Sequence, residues 1–268
     1  MTGHEAPDEV LQGGVANAGA VVRVGGHVLR PANRHSGTIH SFLRHVRDRG
    51  FHGASEPVAI EGVRERLVFV PGDVPVPPYP TWAQADTALV STALLIRGLH
   101  DASVGFVAGA NDWSDELRDA SPFGDRVICH NDVCMENIVF RDGMAVALLD
   151  FDFAAPGRRA FDVAAFARMC VPIDDDLDAT RLGWLDADRP SRLRLVADAY
   201  GLDTAGRDEL LVCLDESIAR GGDFVRRHVE AGEPGFVEMW DAMGGMARFD
   251  RRRAWWATAR SRFASALA

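Results

Sequence analysis

The stretch "CHNDVCMENIVFRDGMAVALLDFD", residues 129–152, constrains the fold of this chain more than any other. Two short apolar runs, "NIVF" and "VALLDF", are separated by "RDGM". An Asp-Gly pair between two apolar runs is a strong hairpin signal, because both residues tolerate the left-handed backbone that a tight reversal needs. The runs therefore read as paired antiparallel strands. Asn137 enters the first strand and Asp150 leaves the second, so both stand at the same end of the hairpin and their side chains can converge on one ion. They carry hard oxygen ligands of the kind magnesium takes, with other positions left to water and substrate phosphates. Asp132 lies five residues before Asn137, on the loop leading into the same strand. A third carboxyl is thereby brought near the ion without being an obligatory ligand, which is the position wanted for a base that receives or orients a hydroxyl proton. Asp152, two residues beyond Asp150, points to the same strand face and reads either as a second metal ligand or as a solvated or capping carboxylate.

The remainder of the chain divides around a proline-rich break. Before it, "GGVANAGAVVRVGGHVLRP" alternates valines with glycines as two strands joined by tight turns would. "SGTIHSFLRHVRDRG" then sets Ile39, Phe42, Leu43 and Val46 at helical spacing, with Ser36 as N-cap and Gly50 as stop. "RERLVFVPGD" supplies another strand ending at Pro71-Gly72. Pro75, Pro77, Pro78 and Pro80 rule out helix interior and mark a hinge. Beyond it, Ala85, Ala88, Leu89, Thr92, Leu95, Ile96 and Leu99 form a helical stripe, and the C-terminal portion is dominated by helix-compatible patterns. The expected architecture is α+β and bilobal. Residues 1–9 form a disordered tail, 10–73 a small antiparallel-sheet N-lobe with one helix, 74–80 the hinge, and 81–268 a mainly helical C-lobe that carries the loop at 128–152.

At 268 residues and 47% hydrophobic the chain is large enough for two lobes, and its formal charge of −10 argues against a binder of nucleic-acid backbones. The acidity is compatible with a cationic small substrate. All 29 basic residues are arginine. The absence of lysine excludes a Schiff-base mechanism and the lysine-bearing phosphate loop. Four cysteines without zinc spacing point to free thiols in a reducing compartment. With no apolar leader and no run long enough to span a membrane, the expected location is the cytoplasm, with no membrane partner.

"HNDVCMEN" followed by "LLDFD" resembles the His-x-Asp-x-x-x-x-Asn loop and metal-binding aspartate of the protein-kinase-like phosphotransferases, and is most similar to the aminoglycoside phosphotransferase and choline kinase branch. The resemblance implies a protein-kinase-like fold, ATP or GTP with magnesium as cofactors, and transfer to a hydroxyl. It implies Asp132 as catalytic base, His130 as the member of the catalytic loop that shapes it, and Asn137 and Asp150 as magnesium ligands. Acidic residues in choline kinase relatives suggest Asp152 as a further ligand. "FDVAAF" at 161–166 is similar to the family's following helix, where Asp162 would brace the loop from behind, and "RGLHDAS" at 97–103 resembles its Leu-His segment. In the N-lobe, "GGVANAG", with Gly14 and Asn17, would be the turn over the nucleotide phosphates. Arg30 in "GHVLRP" stands where the family has a phosphate-gripping lysine. The usual glutamate partner on the next helix is missing from 35–50, so that His40 or Asp48 substitutes for it or the pair is absent. "LVFVPG" resembles the strand that meets the base, with backbone groups near Phe69 and Val70 as its partners.

Acceptor specificity in this family lies in the C-terminal helices. There, "DDDLD" at 174–178 reads as a solvated face, and "FVEMWDAMGG" as the better pocket candidate, because Trp240 beside Glu238 and Asp241 pairs an aromatic wall with charge. The leading expectation is an ATP-dependent, magnesium-assisted O-phosphotransferase acting on a small-molecule hydroxyl of aminoglycoside type. A kinase of choline or another metabolite alcohol is the alternative within the same fold. From a different class comes a nucleotide-binding immunity or sequestering module with little turnover, motivated by Arg30 and the missing helix glutamate. A metal-dependent hydrolase is the most remote reading.

Overall fold

The valine- and glycine-rich N-terminal segment folds into a five-stranded antiparallel sheet of order β1-β2-β3-β5-β4. The structure, a computed structural model, describes residues 9–11, 19–109, 112–121 and 126–268. Gly14 and Asn17 lie outside the described residues. Strands β2 (Val22–Val24) and β3 (His27–Pro31) form a hairpin with Val24 opposite His27. Its turn is Gly25-Gly26, and Gly25 takes the left-handed backbone (φ 58°) that the reversal demands. Strand β1 (Glu9–Val10) adds to β2, so Glu9, assigned from sequence to the tail, is paired with Arg23. Strand β4 (Pro57–Glu61) was not legible in the sequence, since most of its residues are exposed and no apolar alternation marks it. It forms a hairpin with β5 (Arg64–Val68), which in turn lies beside β3.

Helix α1 (Ser36–Asp48) buries Ile39, Phe42, Leu43 and Val46, the stripe read from the sequence. The expected cap differs: His35 occupies the N-cap without a side-chain cap bond, while Ser36 is the first helical residue and its Oγ accepts from the Asn33 N–H at 3.0 Å. Gly50, at φ 86°, ends the helix in the left-handed conformation.

Residues 74–80 run without regular structure into α2 (Asp86–Ser103), whose buried side includes Ala88, Leu89, Thr92, Ile96 and Leu99. The expected hairpin is β7 (Ile138–Arg141) and β8 (Met144–Leu148), turning at Asp142 and Gly143, both at positive φ. A second strand pair, β6 (Arg126–Cys129) with β9 (Ala155–Arg158), flanks it. The chain continues through α3 (Arg159–Cys170), α4 (Asp176–Arg181), α5 (Arg189–Tyr200), α6 (Thr204–Arg220), α7 (Asp223–Glu230), α8 (Pro234–Met243) and α9 (Met246–Leu267). Among the described residues, no helix is long and apolar enough to cross a membrane.

Helix α1, not the five-stranded sheet, joins the N-terminal part to the core of the helical part. Phe42 of α1 meets Trp113 and Phe151 of the helical part edge-on or tilted, with ring centroids 5.8 and 6.3 Å away. The β7–β8 hairpin is clamped on both sides by backbone from the N-terminal part. The Leu148 N–H donates to the Gly53 carbonyl at 2.9 Å, and Asp73 and Phe140 exchange two N–H···O bonds of 2.8 Å. Gly72, at φ 152°, makes the second clamp possible, since a Cβ there would lie 2.5 Å from the Phe140 carbonyl oxygen. Gly72→Ala is expected to destabilise the protein by about 2–3 kcal/mol in urea denaturation through overpacking against that carbonyl. Gly62→Ala, which also loses a left-handed glycine but meets nothing within 4 Å, is expected to cost less.

Candidate active site

The hairpin ends at the site. Beyond the Ile138–Leu148 pair, the Leu149 N–H donates to the Asn137 carbonyl at 2.8 Å, so Asn137 and the residue before Asp150 stand side by side. Asp150 then turns into the left-handed region (φ 61°), a conformation that costs a non-glycine residue energy. Asn137 Nδ2 donates to both the carbonyl (2.9 Å) and the carboxylate Oδ2 (3.0 Å) of Asp132. This fixes the amide so that its Oδ1 is the group left for an outside partner. Burial pushes the Asp132 carboxyl above its ordinary proton affinity; the His130 charge opposes that and Asp150 adds to it.

His130 has both ring nitrogens engaged by backbone. Nε2 donates to the Leu149 carbonyl at 2.8 Å, and Nδ1 accepts from the Asp132 N–H at 3.3 Å. The ring ties the loop to the hairpin and offers no nitrogen to a substrate. Asn131 beside it is left-handed (φ 67°), and its Nδ2 donates to the Phe153 carbonyl at 2.8 Å.

Behind the loop, Asp162 of α3 is fully buried. Its carboxylate accepts from the backbone N–H groups of His130 (2.8 Å) and Asn131 (2.7 Å) and from His100 Nε2 (2.9 Å). The other ring nitrogen of His100 lies 2.7 Å from the Tyr200 hydroxyl. Burial alone would raise the Asp162 pKa, but the His100 hydrogen bond and neighbouring charges outweigh it and hold the carboxyl below its usual range.

In front, Arg30 of β3 bridges the sheet to the hairpin end. Nε donates to Glu65 Oε1 at 2.6 Å, Nη1 to Asp150 Oδ1 at 2.8 Å, and Nη2 to Asp152 Oδ1. Glu65 sits directly opposite Arg30 on β5. Its other oxygen is 2.7 Å from His40 Nε2 on α1. Arg30, Glu65 and His40 are only 7%, 1% and 2% exposed, so this relay is held away from water. Burial drives the Asp152 carboxyl up to about 7, with Asp150 reinforcing and Arg30 opposing the shift.

Residues 97–196 match the model of the phosphotransferase enzyme family. Over 192 residues the chain is 34% identical to the trifolitoxin immunity protein of Rhizobium leguminosarum bv. trifolii, covering 70% of this chain and 72% of that one. The chain belongs to the aminoglycoside phosphotransferase and choline kinase-like family. Its fold is that of a choline/ethanolamine kinase family protein from Mesorhizobium loti (TM-score 0.66, 17% identity, 99% of this chain and 93% of that one). It is also that of an aminoglycoside phosphotransferase from Alicyclobacillus acidocaldarius (TM-score 0.54, 15% identity, 92% and 91%).

Within this phosphotransferase family, the strand cation and its carboxylate partner are rearranged here. The expectation that His40 or Asp48 replaces the missing helix glutamate is corrected: the partner of Arg30 is Glu65 from the adjacent strand, and His40 contacts that glutamate instead. A cross-strand neighbour three elements on in the chain cannot be found by inspecting the next helix alone. Asn137 Oδ1 and the carboxylates of Asp150 and Asp152 are hard oxygen donors, and the two aspartate side chains remain 28% and 20% exposed. The donor set suits magnesium completed by water and phosphate oxygens. The Phe69 N–H is taken by the Gly26 carbonyl at 2.9 Å, and its ring is covered by Arg23 at 4.0 Å, so that group is not open to a nucleotide base. Val70 is half-buried.

The acidic run at 174–178 is not a solvated face. Asp174, Asp175 and Asp178 are buried, and arginines of α9 close over them: Arg252 and Arg248 on Asp174, Arg248 and Arg251 on Asp178. The sequence reading missed these because their partners lie some seventy residues away. On α8, Glu238 and Asp241 are exposed, and the Trp240 ring packs on Phe249 at 5.9 Å. Helices α7 and α8 do reach the site through aromatic rings, Phe236 on Phe224 at 5.6 Å and Phe224 on Phe153 at 5.3 Å.

Asp162→Asn leaves a buried backbone N–H or the His100 ring short of an acceptor, for an expected loss of about 3 kcal/mol in chemical denaturation. Its depressed folded pKa means that its stabilisation is complete above about pH 4 and fades as pH falls through the lower folded value. The acid limb of stability should therefore be shallower in Asp162→Asn. Arg30→Met strips the cation from Glu65, Asp150 and Asp152, and is expected to cost about 3–5 kcal/mol at pH 8, less at pH 6 where Asp152 takes up a proton.

Proposed function

We propose that the protein is an ATP- or GTP-dependent O-phosphotransferase acting on a hydroxyl of a small molecule. The observation that carries this reading is the Asp132–Asn137–Asp150 constellation, in which a proton-avid carboxylate is fixed by Asn137 Nδ2 and Asn137 stands beside the residue before Asp150 at the hairpin end. Asn137, Asp150 and Asp152 would hold magnesium, which when bound neutralises the triphosphate. Asp132 orients the acceptor hydroxyl and takes its proton as the new O–P bond forms and the bond from the γ-phosphorus to the β–γ bridging oxygen breaks. Arg30, kept on the sheet by Glu65 and His40, would be the cation available to the phosphates beside these ligands. The site is expected to lie in a cytoplasmic protein, without nucleic-acid or membrane partners.

An aminoglycoside acceptor was expected partly from acidic residues, of which Asp174, Asp175 and Asp178 are engaged by arginines. A second reading, a nucleotide-binding immunity or sequestering protein with little turnover, is favoured by two observations. Arg30 already neutralises the metal carboxylates, and the relative at 34% identity is an immunity protein.

The test is magnesium-dependent consumption of ATP and GTP against aminoglycosides, choline and sugar alcohols, with phosphorylated product read by mass spectrometry. A phosphotransferase gives product that Asp132→Ala lowers by about 10²–10⁴-fold, with nucleotide binding retained. Equal protection of cells by wild type and Asp132→Ala, without product, would favour sequestration instead.

A further inference from the structure

Arg168 stands apart from the other buried arginines. It lies in the last turns of α3, where Cys170 Sγ contacts the Val133 carbonyl at 3.7 Å and so holds that helix end against the catalytic loop. Its Nε donates to Ser217 Oγ on α6 at 3.0 Å, and Nη2 lies 3.2 Å from Met169 Sδ. Among the described residues no carboxylate comes within ion-pair distance of it. An arginine partly withdrawn from water without a counter-charge is costly, because the desolvation of the guanidinium is not offset.

The surroundings add positive charge. Arg248 and Arg252 of α9 converge on the shared carboxylate of Asp174, and Arg181, Arg248 and Arg251 share Asp178. Four guanidiniums therefore meet three carboxylates, those of Asp174, Asp175 and Asp178, and Arg168 adds a fifth cation that contacts none of them. Burial, with the Arg252 charge next and Arg248 adding to it, pushes the Arg168 pKa down to about 10 against the pull of Asp174 and Asp132. The residue is only half-buried, so solvent reaches part of it.

Placement gives this charge a use. Arg30, Asp150 and Asp152 occupy the sheet side of Asp132, where the nucleotide phosphates belong. In-line transfer brings the hydroxyl from the far side. The end of α3 packs on the loop that bears Asp132 through Cys170 and Val133, and the Arg168 charge acts on the Asp132 carboxyl.

We propose that Arg168 is the recognition cation for an anionic group, a carboxylate or a phosphate, carried by the acceptor alcohol. The substrate class is thus an acidic alcohol rather than a polycation. This rests on the phosphotransferase reading of the same site. Ser217 fixes the guanidinium through Nε and Nη2 has only the weak acceptor Met169 Sδ, which leaves Nη1 to face the anion, a geometry that lysine does not reproduce.

Two measurements test it. In the first, transfer from labelled ATP with magnesium is followed to matched acceptors, glycerate against glyceramide and serine against serinamide and ethanolamine. Wild type, Arg168→Lys and Arg168→Gln are compared. The expected result is preference for the acids, with KM raised about tenfold or more in Arg168→Gln and kcat and magnesium-nucleotide binding little changed. Preference for the amide or amine, or an unchanged KM in Arg168→Gln, overturns the proposal.

The second does not need turnover. Inorganic phosphate is titrated at constant ionic strength into each protein saturated with the non-hydrolysable analogue AMP-PNP and magnesium, with melting temperature as readout. Stabilisation of wild type that is absent in Arg168→Gln supports the anion site even if no acceptor is phosphorylated. No stabilisation of wild type, or equal stabilisation of both, overturns it, whatever the first measurement says of catalysis.

Discussion

The buried carboxylate of Asp162 is the interaction on which the site depends. It is out of contact with water and stays ionised because three N–H groups point at it, two from the backbone of His130 and Asn131 and one from His100. Those bonds join α2, α3, α5 and the loop at one point, since His100 reaches Tyr200 in turn. The left-handed backbone of Asn131 is held by this arrangement. Its backbone N–H and its side-chain Nδ2 are both engaged, so the strain is over-determined by its neighbours and not relieved. Asp132, the next residue, and its Asn137 clamp inherit that rigidity.

The opposite face is organised by a second buried charge. Arg30 links a sheet strand to the hairpin end, and Glu65 with His40 extends the link to α1. The three groups replace the strand-lysine and helix-glutamate pair of the family by strand arginine, strand glutamate and helix histidine. Because Arg30 contacts the same carboxylates that would hold magnesium, the N-terminal sheet and the metal side of the site are coupled. A metal ion held there would compete with a guanidinium already in place, whereas burial is the main cause that raises the proton affinity of Asp132.

The fold was legible wherever local chemistry determines it. Asp142-Gly143 between apolar runs gave the β7–β8 hairpin, Gly25-Gly26 the β2–β3 turn, and the Ile39 to Val46 spacing the buried face of α1. The juxtaposition of Asn137 with the residue before Asp150 followed from hairpin geometry alone. What was hidden is what depends on long-range pairing. Strand β4 carries too little apolar pattern, β9 is the irregular "APGR" paired only because β6 lies beside it, and the arginines over Asp174 and Asp178 come from the last helix. Glu65 escaped for the same reason. Its partner is set by strand register, and no spacing along the chain announces it.

The central claim is that the end of the β7–β8 hairpin, with Arg30, forms a magnesium-nucleotide site. Calorimetric titration of AMP-PNP into wild type and Asp150→Asn, each with and without magnesium, tests it most directly. The account predicts binding to wild type that weakens about tenfold or more when magnesium is removed or Asp150 is replaced. Equal affinity in all four titrations, or no binding to wild type with magnesium present, would contradict it.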